Sequence, residues 1–380
     1  MIATMRAVNQ ISRRSVLGLC GVGVLTLVGA CTEDTGSTQD PDGGASGTGR
    51  TANPSDPPAP LPDVPDAALL TAALDRARVM VLRAEAVEDQ DGIAGEALTA
   101  HTEQVRVLEG ILEDAGIPLP PEPELPAETP GDDAGATTTQ TPPAAPDDAA
   151  STSGGADGEA GDGVTRTESA KERREREEQE RAARVETQLQ ALADEALQDV
   201  TPEALAEVST ASSANLALLT AIAGQRGGLA MRLRSGPDWP ELAGPTGEAA
   251  AAVLEAFRPA IYGFEVLAAR SSGDYRTKYE RPLGPLRRLT RSLTELAGDA
   301  ATPAPLGYGL PDDLDTPQGR TALAEGLLGV MWPTIIGSAG EHTGDPDATA
   351  GTVRLIAEVA AFAWPWDVEL PGFPGMDAPA

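Results

Sequence analysis

Every aromatic side chain in this 380-residue chain, four Trp, four Tyr and four Phe, lies after position 238. Aromatic side chains bury the most area each, so the best-packed core is expected between about 247 and 364, behind a softer, alanine-rich region. Within that stretch apolar residues recur at helical spacing, and no segment shows period-two alternation bounded by hairpin turns. The pattern predicts helices over 248–270, 275–297, 317–339 and 348–364 and no β-sheet. The proline-rich connection 299–316 has the length of a crossover along a bundle.

Ahead of this region the apolar pattern is again helical. Asp66 stands where a helix cap is expected, followed by Leu69, Leu70, Ala73, Leu74, Ala77, Met80 and Val81 at helical spacing. A second helix is predicted over 93–115, with Leu98, Val105, Leu108, Ile111 and Leu112 on one face and Gly116 as its stop. Ser169 and Glu172 form a capping box, after which Glu172/Arg176, Glu177/Arg181 and Glu180/Arg184 are spaced as i,i+4 ion pairs on a solvated helix. Thr201-Pro202 starts a further helix carrying Leu205, Val208, Leu216, Leu219 and Ile222. Two stretches, 31–65 and 118–165, are nearly free of large apolar residues and cannot offset backbone ordering entropy; they are expected to be a disordered tether and a disordered acidic loop. Gly236-Pro237 through Gly244-Pro245 reads as an interdomain linker.

The amino-terminal segment carries an address. Arg13 and Arg14 precede an apolar run, 16–28, that is diluted by glycine and too short for the ~20 residues a membrane-spanning helix needs. The paired arginines read as a twin-arginine export signal. Gly29 and Ala30 directly before Cys31 resemble the lipobox of bacterial lipoproteins, which implies lipidation of Cys31 and residues 1–30 as the signal peptide. Removing that segment takes away three arginines and no acid, moving the formal charge from −31 to −34. So acidic a chain is a poor partner for nucleic acid or anionic lipid, leaving acyl chains on Cys31 to hold it at the outer face of the cytoplasmic membrane. The other cysteine, Cys20, leaves with the signal, so no disulfide and no thiol chemistry remains.

The last third resembles a ferritin-like four-helix domain of unknown function found in exported proteins of high-GC Gram-positive bacteria. The residues that carry the resemblance are Ala260-Ile261-Tyr262, Arg287/Arg291/Leu293, Tyr308-Gly309-Leu310-Pro311, Ala322-Leu323-Ala324 and Trp364. It implies an all-α fold with a ferritin-like four-helix bundle over 246–365, a second and more divergent bundle over 66–235 interrupted by the loop 118–165, and a tail over 366–380. Where related domains carry Glu-His this chain has Phe257-Arg258, and Leu286 and Leu328 replace polar residues. Those departures predict a dry core.

A di-iron bundle needs Glu-x-x-His on two of its helices. The chain has two histidines, His101 and His342, and three residues before them stand Leu98 and Ala339, so neither completes the motif. His101 is expected on a polar or boundary face of its helix and His342 in a glycine-rich turn. Glu255, Glu265, Glu325 and Glu358 read as solvated surface carboxylates. A Gly-x-Ser-x-Gly elbow, a phosphate-binding loop after a strand and Cys/His zinc spacings are all missing. The sequence points to no catalytic residue, no metal and no cofactor. It points to a lipid-anchored envelope interaction or scaffold module with an unidentified envelope protein as partner, the alternative being a metal-linked or small-ligand-binding ferritin-like protein. The tail after Pro365 leaves two options open: Trp366 and Phe373 fold back over the bundle, or they form an exposed contact patch.

Overall fold

The computed structural model describes residues 65–90, 92–125 and 170–377. Arg13, Arg14, Cys31, the tether, the acidic loop from 126 onward and Ser169 lie outside the described residues. Those described form an all-helical body with no strand among them: α1 (Ala67–Glu85), α2 (Ile93–Asp114), α3 (Ala170–Leu197), α4 (Pro202–Val208), α5 (Ser213–Arg232), α6 (Gly247–Ala269), α7 (Gly273–Glu280), α8 (Leu283–Ala297), α9 (Pro317–Gly329), α10 (Met331–Ile336) and α11 (Pro346–Ala363).

Several boundaries follow local chemistry. Gly116 takes a left-handed φ of 69°, letting the Ile117 N–H reach back to the Leu112 carbonyl at 2.8 Å and close α2. Thr201 Oγ1 accepts from Ala204 N at 3.2 Å with Pro202 in the first helical position, which starts α4 as expected. The expected continuation into one long helix is corrected, because the chain breaks between α4 and α5. There the Ser209 and Thr210 hydroxyls donate to the carbonyls of Ala206 and Glu207, both at 2.7 Å. Asp66 is corrected too. Its side chain leaves α1 uncapped and instead takes the Ser212 N–H at 3.0 Å, the Ser212 hydroxyl and Asn215 Nδ2 at 2.8 Å, anchoring the start of α5. The helices expected over 275–297 and 317–339 are likewise each divided, the first at Arg281-Pro282 and the second at Val330, three residues before Pro333.

Helix directions can be read from specific pairs. Arg76 of α1 meets Glu195 on α3 and Asp199 just beyond it, whereas Glu88, past the end of α1, meets Gln188 and Arg184, so α1 and α3 are antiparallel. Arg184, whose expected partner is Glu180, bonds Glu88 at 2.8 Å. Asp199 with Arg226 and Gln190 with Ser235 make α5 antiparallel to α3. In the second half α6 and α8 run antiparallel, Glu265 meeting Arg287 and Glu255 meeting Thr302 just beyond α8. The connection 301–316 then returns along α6, touching it at Glu255, Tyr262 and Arg270 through Thr302, Tyr308 and Asp315. α9 and α10 descend along α6 with Leu327 against Gly263, and α11 rises beside them, Trp332 Nε1 donating to the Ile356 carbonyl at 3.2 Å. Both halves therefore run up, down, down, up, and α5 and α11 are the fourth member of each.

Among the described helices α5 and α11 make the most extensive pair, and they run parallel. Gly224 faces Ile356 and Gly228 faces Ala360, each so closely that an added Cβ would lie 2.6 Å from the opposing side chain. One hydrophobic cluster extends from Leu70 in α1 to Phe373 in the tail. The linker 236–245 therefore does not separate two cores, as the expected division into bundles over 66–235 and 246–365 required; helices on either side of it pack into one body.

The tail resolves its two options in favour of folding back. Trp366 and Phe373 are each 2% exposed; Trp366 stacks on Tyr279 with ring centres 4.9 Å apart and lies beneath the Lys278 ammonium at 4.0 Å. Phe257, Leu286 and Leu328 are fully buried.

Two outcomes test this packing. Gly228→Ala should destabilise the protein by about 1–3 kcal/mol, the scale for forcing extra carbon into a filled contact, and Ala360→Gly in the same chain should restore much of the loss in urea unfolding. Phe373→Ala should cost about 3–5 kcal/mol by the same measurement, as expected for truncating a buried aromatic; an unchanged midpoint would show that the tail does not clamp the body.

Candidate functional site

α5 is buried on all sides from Leu218 to Ala230, and the middle of that run holds two residues that cost energy to bury, Gln225 and Arg226. Their partners come from α1, from α2 and from the short turn that follows α3. Arg226 Nη1 donates to Asp199 Oδ2 at 2.8 Å and Nη2 to the Ala73 carbonyl at 3.3 Å, while Nε is buried without a partner. Asp199 offers its other oxygen to Arg76 Nε at 3.1 Å, and Arg76 also grips Glu195 through the side chain and, at 2.8 Å, through its carbonyl. On the other side of α5, Gln104 Nε2 donates to the Gly372 carbonyl at 2.8 Å and to Gln225 Oε1 at 3.3 Å. Gln104 Oε1 lies 3.0 Å from His101 Nδ1.

This corrects the expectation for His101, which is fully buried instead of lying on a polar or boundary face. The inward face of α2 runs through Ala94, Ala97, His101, Gln104, Leu108 and Leu112, and the larger residues Leu98, Val105 and Ile111 are only half-buried. With Gln104 Oε1 as acceptor, the imidazole carries its proton on Nδ1 and keeps Nε2 unprotonated and without a partner. Burial first, and the nearby Arg226 charge second, push its pKa down to about 3. Burial also lowers that of Arg226, with Asp199 acting against the shift and Arg76 with it; a guanidinium stays charged regardless. Arg76 shifts the other way, because Asp199 and Glu195 outweigh its partial burial.

The polar chain meets a cleft of about 110 Å³ between α1, α4 and α5, with Arg76, Asp199 and Arg226 at its charged end and Leu69, Val208 and Ile222 among its walls. That space holds a few water-sized groups. Asp199 already accepts from two guanidiniums, so its lone pairs serve structure and are poorly placed to take a proton from a substrate.

His342 lies in the short turn Ala339–His342, as its glycine-rich surroundings suggest, and is 8% exposed. Its Nε2 is 3.5 Å from Ser338 Oγ; burial lowers its pKa while Asp345 and Glu341 oppose the shift. Asp345 Oδ1 caps α11 through Ala348 N at 2.9 Å. Of the four carboxylates singled out from the second half, Glu255 pairs with Arg258, Glu265 with Arg287 and Glu358 with Arg354, and Glu325 faces solvent. Among the described residues no cluster of three or more His, Cys, Asp or Glu side chains is placed to hold a metal ion. Arg76, Gln104, Asp199, Gln225 and Arg226 were not legible as a group; the one sequence signal was Gln225-Arg226 inside an otherwise small and apolar helical run.

The buried imidazole makes stability pH-dependent with a defined sign. Its pKa is lower folded than unfolded, so the unfolded chain binds the extra proton below about 6.5 and stability falls as pH drops through that value towards 3. At pH 5 the contribution should be a loss of about 2 kcal/mol relative to pH 7. Urea unfolding at both pH values should show a loss larger by about 2 kcal/mol in the wild type than in His101→Phe, which keeps the smaller contribution of His342. Equal pH sensitivity in the two proteins would mean that the imidazole is not buried neutral.

No family model, curated protein or solved structure matches this chain.

Proposed function

We propose that this is an exported, lipid-anchored protein of the cell envelope whose helical body serves as a non-catalytic interaction module. The observation that carries the reading is the ordered start of the chain: Arg13-Arg14, a short apolar run, two small residues and Cys31. In this reading two acyl chains on Cys31 give the stable membrane attachment that a single chain would not. Among the described residues Pro317–His342 is apolar enough by length and composition to cross a membrane. It is, however, broken into α9, α10 and a short turn, and it packs on α6 and α11, which makes it a core segment in this proposal. A non-catalytic role is supported by the polar interior, where His101, Gln104, Gln225, Arg226 and Asp199 bond to one another and to backbone, and by surface carboxylates paired with arginine.

A second reading, a ferritin-like protein that binds a small ligand or a metal, is favoured by the helix order. Both halves run up, down, down, up, and the second has a long crossover between its second and third members, the connectivity of ferritin-like bundles.

Cys31→Ala should release the protein from membranes, and Arg13→Lys with Arg14→Lys should block export, read by fractionation of host cells and medium. Persistence of Cys31→Ala in membranes after a high-salt wash would overturn the anchor. Metal analysis of protein purified from its own host decides the metal branch of the second reading.

A further inference from the structure

A cavity that the polar chain does not use lies where the connection after α5 crosses the start of α11. It measures about 450 Å³ and is walled by Val200, Leu205, Trp239, Leu242, Ala350 and Gly351. That is within the range of small-molecule sites, about 300–1,000 Å³ with mostly apolar walls. Its shape is held in place by specific contacts. A Cβ on Gly351 would fall 1.8 Å from the Gly244 carbonyl oxygen, so the connection lies directly on α11. Arg354, on the cavity wall, is bound through Nε to Glu358 at 2.7 Å and through Nη1 to the Pro240 carbonyl. Trp239 lays an edge of its ring 3.5 Å from where a Cβ on Gly227 of α5 would be, and its indole Nε1 is buried without a partner.

The charges around this cavity have one sign in excess. Asp238, Glu241 and Asp347 line it and are exposed, whereas its one lining cation, Arg354, is already paired with Glu358. An anionic ligand would meet three carboxylates, and a cationic one would be drawn to them. An apolar ligand body would lie against Leu205, Leu242 and the Trp239 ring.

We propose that this cavity is a binding site for a largely apolar amine, its body between Trp239 and the first turns of α11 and its positive end among Asp238, Glu241 and Asp347. The site is independent of the membrane anchor: fractionation reads where the protein is, binding reads what the purified chain holds, and either can fail alone.

The test uses the full chain carrying Cys31→Ala, free of detergent, with three probes that share a body: 4-phenylbutylamine, 4-phenylbutanol and 4-phenylbutyrate. Calorimetry should give the amine a dissociation constant of about 1 mM or tighter, reasonable for a ligand of this size, the alcohol weaker binding and the carboxylate the weakest. Asp238→Asn with Glu241→Gln, both exposed, should weaken the amine by roughly fivefold, the scale of exposed charge pairs, and leave the alcohol unchanged. Ala350→Leu, which fills the cavity, should weaken the amine and the alcohol alike, with the melting temperature confirming that the variant is folded. If none of the three binds, if the carboxylate binds as well as the amine, or if the rim variant binds the amine as the wild type does, the proposal fails.

Discussion

The contact between α5 and α11 organises everything else. Two parallel helices approach until Gly224 and Gly228 lie against Ile356 and Ala360, with no room for a Cβ on either glycine. Glycine is costly inside a helix, by roughly 0.5–1 kcal/mol relative to alanine, and α5 carries three in five positions, Gly224, Gly227 and Gly228. Dense packing against α11 offsets that cost, since interiors gain from close contact along the whole length of a pair. With the fourth helix of each half forming the common centre, neither half has a core of its own. The alanine-rich first half, lacking aromatic side chains, thus shares the core built by the second.

That arrangement also explains where the buried polar groups sit. A helix enclosed on all sides has no solvated face, so Gln225 and Arg226 must find partners within the protein or remain unsatisfied at a cost of several kcal/mol. Asp199, the Ala73 carbonyl and Gln104 supply them, which ties α1, α2 and the end of α3 to α5 at fixed heights. Such a network is demanding in geometry, and this selects one register among the many that leucine and alanine alone would permit. Removing Arg226 would leave Asp199 facing only Arg76, and removing Asp199 would leave two guanidiniums facing each other.

Much of the fold was legible one element at a time. Helical periodicity, Gly116, Thr201-Pro202 and Pro317 mark real boundaries because each acts through its own backbone or its nearest neighbours. What escaped was non-local. Asp66 looks like a cap for the helix that follows it, but its carboxylate serves Ser212, 146 residues later at the start of α5. His101 follows Leu98 and precedes Val105, which look like the core positions of α2, and only the packing of α5 and the tail shows that the inward face runs through alanine, histidine and glutamine. The linker 236–245 has the composition of a domain boundary, and its residues do leave helix; what composition cannot show is that the helices on either side of it pack against each other. The cavity beside Trp239 was illegible for the same reason, since its walls come from 200–205, 238–243 and 346–354.

The tail shows how the two halves depend on one another. After Pro365 ends the last helix, Trp366 fills the space between Phe264 and Tyr279 in the second half. Six residues later the chain reaches the first half, where the Gly372 carbonyl accepts from Gln104 at 2.8 Å. Gly372 has no alternative there, because a Cβ would fall 2.7 Å from the Ala100 carbonyl oxygen of α2. Leu370 lies between these points, its side chain 3.3 Å from where a Cβ on Gly228 would be. The aromatic residues of one half and the hydrogen-bond chain of the other are thus joined by a single short segment. The amide that orients His101 is held on one side by α5 and on the other by the tail, so disturbing either contact should reach the buried imidazole through Gln104.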